Sequence, residues 1–498
     1  MLPERGSVII VVVTLVTIVS TIIFAASTLI ISGNKNASRL TSLKQAHYVA
    51  EAGIENTISN PIYLRDALRD GQVNIGQSIV ETDIDGKTGR YQVTLTKSSE
   101  NTIEARSTGY IENPESGNTI SHKTIICDLQ LKPGSFYDLT LGNAITTEEN
   151  IDSGKVYIRL DEGVSSDLQP DVYCGGDIIT ISGNIPGSVI AEGEVQIGNT
   201  ANISGNVIAK GSITLANGVK VGSNVISWEA VYISNQVEIS GDIVAGLNNT
   251  GETGTLVNIG NQSHVGDIYT PDGENQVAIS TNSTCGSIFT LSDTKYDGYL
   301  FPSEGLPQID EETKNLWIKQ AKSDDIIYPE GLTVGNGETY TIDGNAYING
   351  NLLVDNNATL LVKEGSIIYV TGYITIENNA VVETIEADGD PNTKRASSFI
   401  TENYFDILNN AIPENISLVA LGEATSSFKN NSVNTGAIFV PNGTLEVKNN
   451  AIVHGGVFAK KTIIGNNAEI YFNPMKVLSI PPVGTSNEIL RLLEWREN

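Results

Sequence analysis

Cysteine is scarce in this chain of 498 residues: only Cys127, Cys174 and Cys285 occur, far apart and with no metal-ligand spacing. An odd, sparse count excludes a disulfide framework and a zinc module. Positive charge is also short, with 30 Lys and Arg against 58 Asp and Glu, a net charge of −28. That deficit argues against nucleic-acid binding, which draws on dense Lys and Arg, and favours a soluble, mutually repelling exterior. The four histidines (His47, His122, His264 and His454) stand isolated, none near a cysteine. No nucleophile motif or phosphate-cradling glycine loop appears, so neither catalysis nor a cofactor is expected. Aromatics make up only 6% of the residues, whereas glycines number 48. Such a chain turns often and packs small β-branched side chains.

One acidic cluster invites a metal reading. EADGDPNTK, from Glu386 to Lys394, sets Asp388, Asp390 and Asn392 at alternate positions, as calcium loops do. Pro391 interrupts it and no bidentate Glu follows at the required distance. The cluster is a weak calcium candidate and reads better as an exposed insertion.

What the sequence has in abundance is placed unevenly. From Ser7 to Asn34 no side chain is charged, and Val8 to Ile31 is almost all Val, Ile, Leu, Thr and Ala. A helix of that length spans a hydrocarbon core of ~30 Å, whereas a secretory h-region is shorter, roughly 7–15 residues. The run reads as a retained anchor, with Ala25-Ala26-Ser27 as the alternative cleavage site of an ordinary export signal. Beyond it Leu40, Leu43, His47, Ala50, Ile54 and Ile58 recur at helical spacing until Pro61 ends the pattern. The spacing predicts one helix over 7–60, lipid-soluble first and amphipathic after. GRYQVTLTKSSENTIEARSTGYI and SHKTIICDLQLK then alternate as a small antiparallel meander within 61–140.

The charged leader ending at Gly6, the apolar helix directly behind it, and QAHYVAEAGIENT from Gln45 to Thr57 resemble the N-terminus of PilX-type minor type IV pilins. Those proteins are similar to the atypical minor pseudopilins of type II secretion. The resemblance implies cleavage by a prepilin peptidase between Gly6 and Ser7, residence in the bilayer, and packing against other pilins or pseudopilins. It implies a single-pass membrane protein whose bulk is extracellular or pilus-associated. Two positions depart from the family. Its first mature residue is usually a methylated Phe or Met and its fifth a Glu; here they are Ser7 and Val11. That Glu meets the neighbouring subunit's amino terminus in the family. Its loss implies a tip position without an earlier neighbour, or a subunit outside the filament. Lys35, Arg39 and Lys44 behind the apolar run point the other way, toward a cytoplasmic domain by flanking charge alone.

A repeat dominates the middle of the chain. Cutting before Gly187, Gly205, Ser223 and Gly241 gives blocks of 18 residues that align without gaps. Every sixth residue from Val189 to Ile243 is apolar, and two positions on, Ala191, Ala209, Ser227 and Ala245 recur 18 apart. Alternating pairs make short strands, three to a coil, with a small-residue column at one narrow edge. This stretch resembles the β-helix of bactofilins, polymer-forming cytoskeletal proteins, which implies a right-handed coil. The hexapeptide pattern of left-handed β-helices fits it too. Asn-Asn-Ala recurs later with its first Asn at 356, 378, 409, 449 and 466, marking less uniform coils.

The expected organisation is mainly β: leader 1–6, helix 7–60, pilin-like β-unit 61–140, β-helix array 141–290, linker with a short helix 291–340, second array 341–480 and a C-terminal capping helix 481–498. The expected function is structural: pilus assembly or priming, or surface adhesion through the flank of the solenoid. A membrane-tethered bactofilin-like scaffold and a β-helix that binds or cleaves surface polysaccharide are the two alternatives.

Overall fold

The computed structural model describes residues 27–28, 31–54, 72–80, 88–99, 102–112, 119–131, 142–161, 164, 169–248, 254–291, 306, 309–385, 396–477, 480–481 and 490–497. Gly6, Ser7 and most of the apolar span from Val8 to Ile31 lie outside them, as do Asp388, Asp390 and Asn392. Among the described residues, no helix is long and apolar enough to cross a membrane. The chain is mainly β and divides into two units, residues 1–130 with 490–498, and residues 131–489.

The first unit sets helix α1, residues 31–54, against an antiparallel sheet of β1 (Gln72–Val80), β2 (Thr88–Ser99), β3 (Thr102–Glu112) and β4 (Thr119–Leu131). Alternation decides which face is inside: Tyr91, Val93 and Leu95 on β2, and Ile103, Ala105 and Ile111 on β3, are buried. The helix stripe differs from the expected one. Leu40 stays 61% exposed, while Ala46, Val49, Ala50 and Ile54 are buried. Close approach selects small residues here. A Cβ added to Gly109 would lie 2.2 Å from the Ala46 carbonyl oxygen and 2.6 Å from the Ala50 nitrogen. The helix backbone therefore rests almost directly on β3. From 31 to 41 the helix is exposed on every side.

The expected C-terminal capping helix is instead a strand, Leu490–Glu497, hydrogen-bonded beside β4 as the fifth strand of this sheet. The capping helix expected over 481–498 rests on a run too short for periodicity to decide, and an open sheet edge offers a ladder of backbone groups.

The second unit is a parallel β-solenoid. Its register fixes the coil at 18 residues over the regular stretch: Val195 lies beside Ile213, Asn202 beside Lys220, and Val207 beside Val225. Inward side chains from Val189 to Ile243 are buried, and Ala191, Ala209 and Ser227 stack in register along one edge. No rung buries its inner face alone, so stability comes from stacking.

The order of rungs in space is not their order in sequence. The chain enters in the middle, at Asn143–Thr147 and Ile151–Leu160, and winds to one end at Ile288–Thr290. It re-enters at the opposite end with Ile326–Tyr328 and winds back. The last rung then docks on the first: Val457–Ile464 pairs with both entry strands, and Ala468–Phe472 pairs with Val156–Leu160. The two arrays are one continuous stack. The strands from Ile326 to Ile342 belong to it, so the second array starts inside the segment taken as linker. Helix α2, Glu311–Ala321, begins at Asp310, whose carboxylate accepts from the Thr313 nitrogen at 2.7 Å. It buries Trp317 and Ala321 and packs on Ala346–Ile348 and Ile367–Val370.

Replacing Gly109 with Val forces a branched side chain into the α1 backbone and should cost the first unit about 1–3 kcal/mol. Hydrogen exchange would show faster exchange of the Ala46 and Ala50 amides with unchanged protection over 189–245. Equal protection at Ala46 and Ala50 would contradict the contact.

Candidate binding face

Each coil has three outward faces, and their chemistry differs. On the first, the outward column runs in register through Ile400, Val419, Phe439, Phe458, Thr146, Tyr173 and Ile190. These residues are apolar apart from Thr146 and all are buried; Trp228, Leu247, Tyr269 and Leu291 pack on the part of the column from Tyr173 to Val244. A covered face offers no ligand surface. The second face carries mixed polar residues such as Gln196, Thr214, Tyr232 and Asn258.

The third face begins at an asparagine corner. Asn199, Asn217 and Asn235 each accept, through the side-chain oxygen, the backbone N–H of the Asn one rung on, at 3.1, 3.1 and 2.9 Å. The Asn-Asn-Ala repeats occupy the same kind of corner: the first Asn forms the ladder, the second takes positive φ (58 to 60° at Asn357, Asn379, Asn410, Asn450 and Asn467), and the Ala turns inward. Asn tolerates that backbone region, which is why it recurs there.

Across the meeting of the last and first rungs this face concentrates rings and cations. KVYIRL alternates, sending Val156 and Ile158 inward and Lys155, Tyr157 and Arg159 outward. Tyr471 lies beside Arg159 in register, and His454 beside Tyr471. His454 stacks on Tyr471 with centroids 4.6 Å apart. The Arg159 guanidinium sits 5.8 Å from the Tyr471 ring and 5.9 Å from Tyr157, and Lys155 Nζ sits 5.1 Å from Tyr157. The result is an alternating ladder of rings and cations held by cation–π attraction. Farther along, Asn202 donates to Asn184 at 2.9 Å, and Lys220 pairs with Glu238 at 2.7 Å. Asn202, Ser204, Lys220, Gly222, Glu238 and Ser240 line a shallow groove there.

Asp161 anchors the same junction. His454 Nδ1 and Lys476 Nζ each approach its carboxylate to 2.9 Å, and Asn473 donates at 3.2 Å. Burial pushes Asp161 up, but hydrogen bonds from His454, Lys476 and Asn473 and the Lys476 charge outweigh it, holding the carboxyl well below the usual carboxylate range. At the other end of the entry strand, Thr147 and Thr462 share a buried hydrogen bond of 2.7 Å. The sequence offered no sign of this cluster, since Asp161 and Lys476 are separated by most of the solenoid.

The other sequence-level candidates stay apart. All three cysteines are free thiols; burial pushes Cys127 up to about 12 and Cys174 up to about 11. His264 Nδ1 meets Thr284 Oγ1 at 2.7 Å, and His47 lies 3.3 Å from Glu51 on α1. Among the described residues no His, Cys, Asp and Glu cluster is arranged to hold a metal.

No protein-family model matches this chain, and no curated protein matches it. Among solved structures it is similar to the competence-associated pilin ComZ from Thermus thermophilus, at 12% identity and a TM-score of 0.27, over 92% of this chain and 98% of that one. An ice binding protein from an Antarctic bacterium Flavobacteriaceae is similar at 10% identity and a TM-score of 0.16, over 68% of this chain and 98% of that one. Scores this low carry no argument, and the architecture rests on the strand register.

Asp161→Asn removes the charge that three donors serve and should destabilise the solenoid by about 2 kcal/mol near neutral pH. The folded carboxyl titrates below its unfolded value near 3.9. Its contribution is therefore full above that value and is lost as pH falls toward the depressed one. Urea denaturation of both proteins checks this: the gap should hold from pH 7 to about pH 5 and narrow below it. A gap that instead widens with acid would contradict the assignment.

Proposed function

We propose that the chain is a membrane-anchored structural protein, a minor pilin-like subunit that displays an acidic β-solenoid outside the cell. The role is pilus assembly or priming, or adhesion through the solenoid flank, with other pilins or pseudopilins and the bilayer as partners. The observation that carries the reading is the way α1 is used. Small residues set its second half against Gly109 of an antiparallel sheet, while residues 31–41 project with no face buried. A helix half-docked on its own domain and half free suits packing among neighbouring helices. The segment from Gln45 to Ile54, which carries the sequence likeness, is the half that docks. A right-handed coil is part of the proposal, following the general preference of parallel crossovers.

One observation favours a rival, a tethered scaffold polymerising end to end. The terminal rungs leave Ile327 51% and Phe289 42% exposed. Open strand edges of that kind invite further pairing.

N-terminal sequencing of protein extracted from membranes tests the processing step, with Ser7 as the expected first residue and Met1 as the contradicting result. Protease added to intact cells then separates the two readings. Digestion of the solenoid supports display outside, and full protection supports the cytoplasmic scaffold.

A further inference from the structure

We infer that the ring-and-cation ladder on the third face binds an anionic polysaccharide of the uronate type. The inference deepens the adhesion role and rests on the solenoid being displayed outside. Lys155 and Arg159 are exposed, and among the described residues neither has a carboxylate partner. Other cations nearby are already paired: Lys460 with Glu149 at 3.4 Å, Lys429 with Asp406 at 3.7 Å, and Lys476 with Asp161 at 2.9 Å. On a molecule with a net charge of −28, two cations outside any ion pair on one face are a local exception; the carboxylate beside them, Glu469, lies in register with Tyr157 and accepts from the Tyr471 hydroxyl at 2.6 Å.

Their positions are also fixed in advance. Tyr157 and Tyr471 hold Arg159 between them, at 5.9 and 5.8 Å from the ring centroids. The planar guanidinium can offer two parallel N–H groups to a carboxylate with little further loss of side-chain freedom. The face continues from this ladder as polar side chains repeating at the rung spacing of about 4.8 Å. Asn184 and Asn202 come first, then the groove of Ser204, Lys220 and Ser240. Donors and acceptors of that kind suit hydroxyls. A ligand that joins carboxylates to many hydroxyls along an extended chain is an acidic polysaccharide. Nucleic acid fits less well, because affinity there grows with the number of phosphates neutralised, and this acidic surface offers few cations.

The test uses the full chain in detergent, with polygalacturonate, dextran and double-stranded DNA as probes in separate titrations. Polygalacturonate should bind, more weakly as salt rises, while dextran and DNA do not. The double substitution Lys155→Gln with Arg159→Gln should weaken binding by about tenfold or more, equivalent to the loss of one charge-assisted contact. Its solenoid should stay folded and melt cooperatively, slightly earlier than the parent because the exposed cation–π contacts are lost. Lys448→Gln, which removes a cation already paired with Glu446, should leave binding unchanged. Equal binding by the double variant, equal loss in Lys448→Gln, absence of polygalacturonate binding, or preference for DNA would each overturn the inference. None of these results bears on cleavage before Ser7 or on protease digestion at the cell surface, so the two readings fail separately.

Discussion

Stacking of identical inward positions in register is the constraint from which the second unit follows. Each rung satisfies half of its backbone groups on the rung before and half on the rung after, and shares its apolar interior with both. Two strand edges are therefore always left over. The chain starts in the middle, so that residues 457–472 close onto residues 143–160 and the two remaining edges fall at Ile288–Thr290 and Ile326–Tyr328. Pairing across most of the sequence gives a high contact order and makes this closure a slow, late event in folding. Its geometry is reinforced by the Thr147–Thr462 bond and by the four-residue cluster around Asp161.

The same closure shapes the third face. Strands from opposite ends of the sequence meet there, and only their meeting assembles the ladder of His454, Tyr471, Arg159 and Tyr157. The interior beneath this face is a rigid column of buried Val, Ile and Ala, so outward side chains are held on a flat support. The two units are built by different means. α1 and its sheet are built by close backbone contact through small residues, and the solenoid by repetition.

Much of this was legible in sequence. The column of Ala191, Ala209, Ser227 and Ala245 specified the coil length because each residue sits where the interior narrows. The meander of β2, β3 and β4 was visible because alternation over 11 to 13 residues is long enough to be distinctive. Asn-Asn-Ala was visible as a repeat, but its relation to Asn199, Asn217 and Asn235 was not, since only the first Asn is common to both versions of the corner. The order of the rungs was hidden for a deeper reason. Parallel stacking is satisfied by any neighbour of matching shape, so nothing local marks which rung precedes Asn143. The terminal strand escaped because its partner, β4, lies at the other end of the chain and its own eight residues fit helix or strand equally well.

The closure between the two arrays is tested most directly by a cross-link that only this rung order permits. Glu469 and Tyr157 are register neighbours on the outer surface. With Cys285 replaced by Ser, the pair Glu469→Cys and Tyr157→Cys should oxidise to an intramolecular disulfide, read as faster migration on a non-reducing gel that reverts on reduction. Glu469→Cys combined with Asn202→Cys, two rungs farther along the same face, should stay reduced. Failure of the first pair to link within one chain, or equal linking by the second, would contradict a single continuous solenoid.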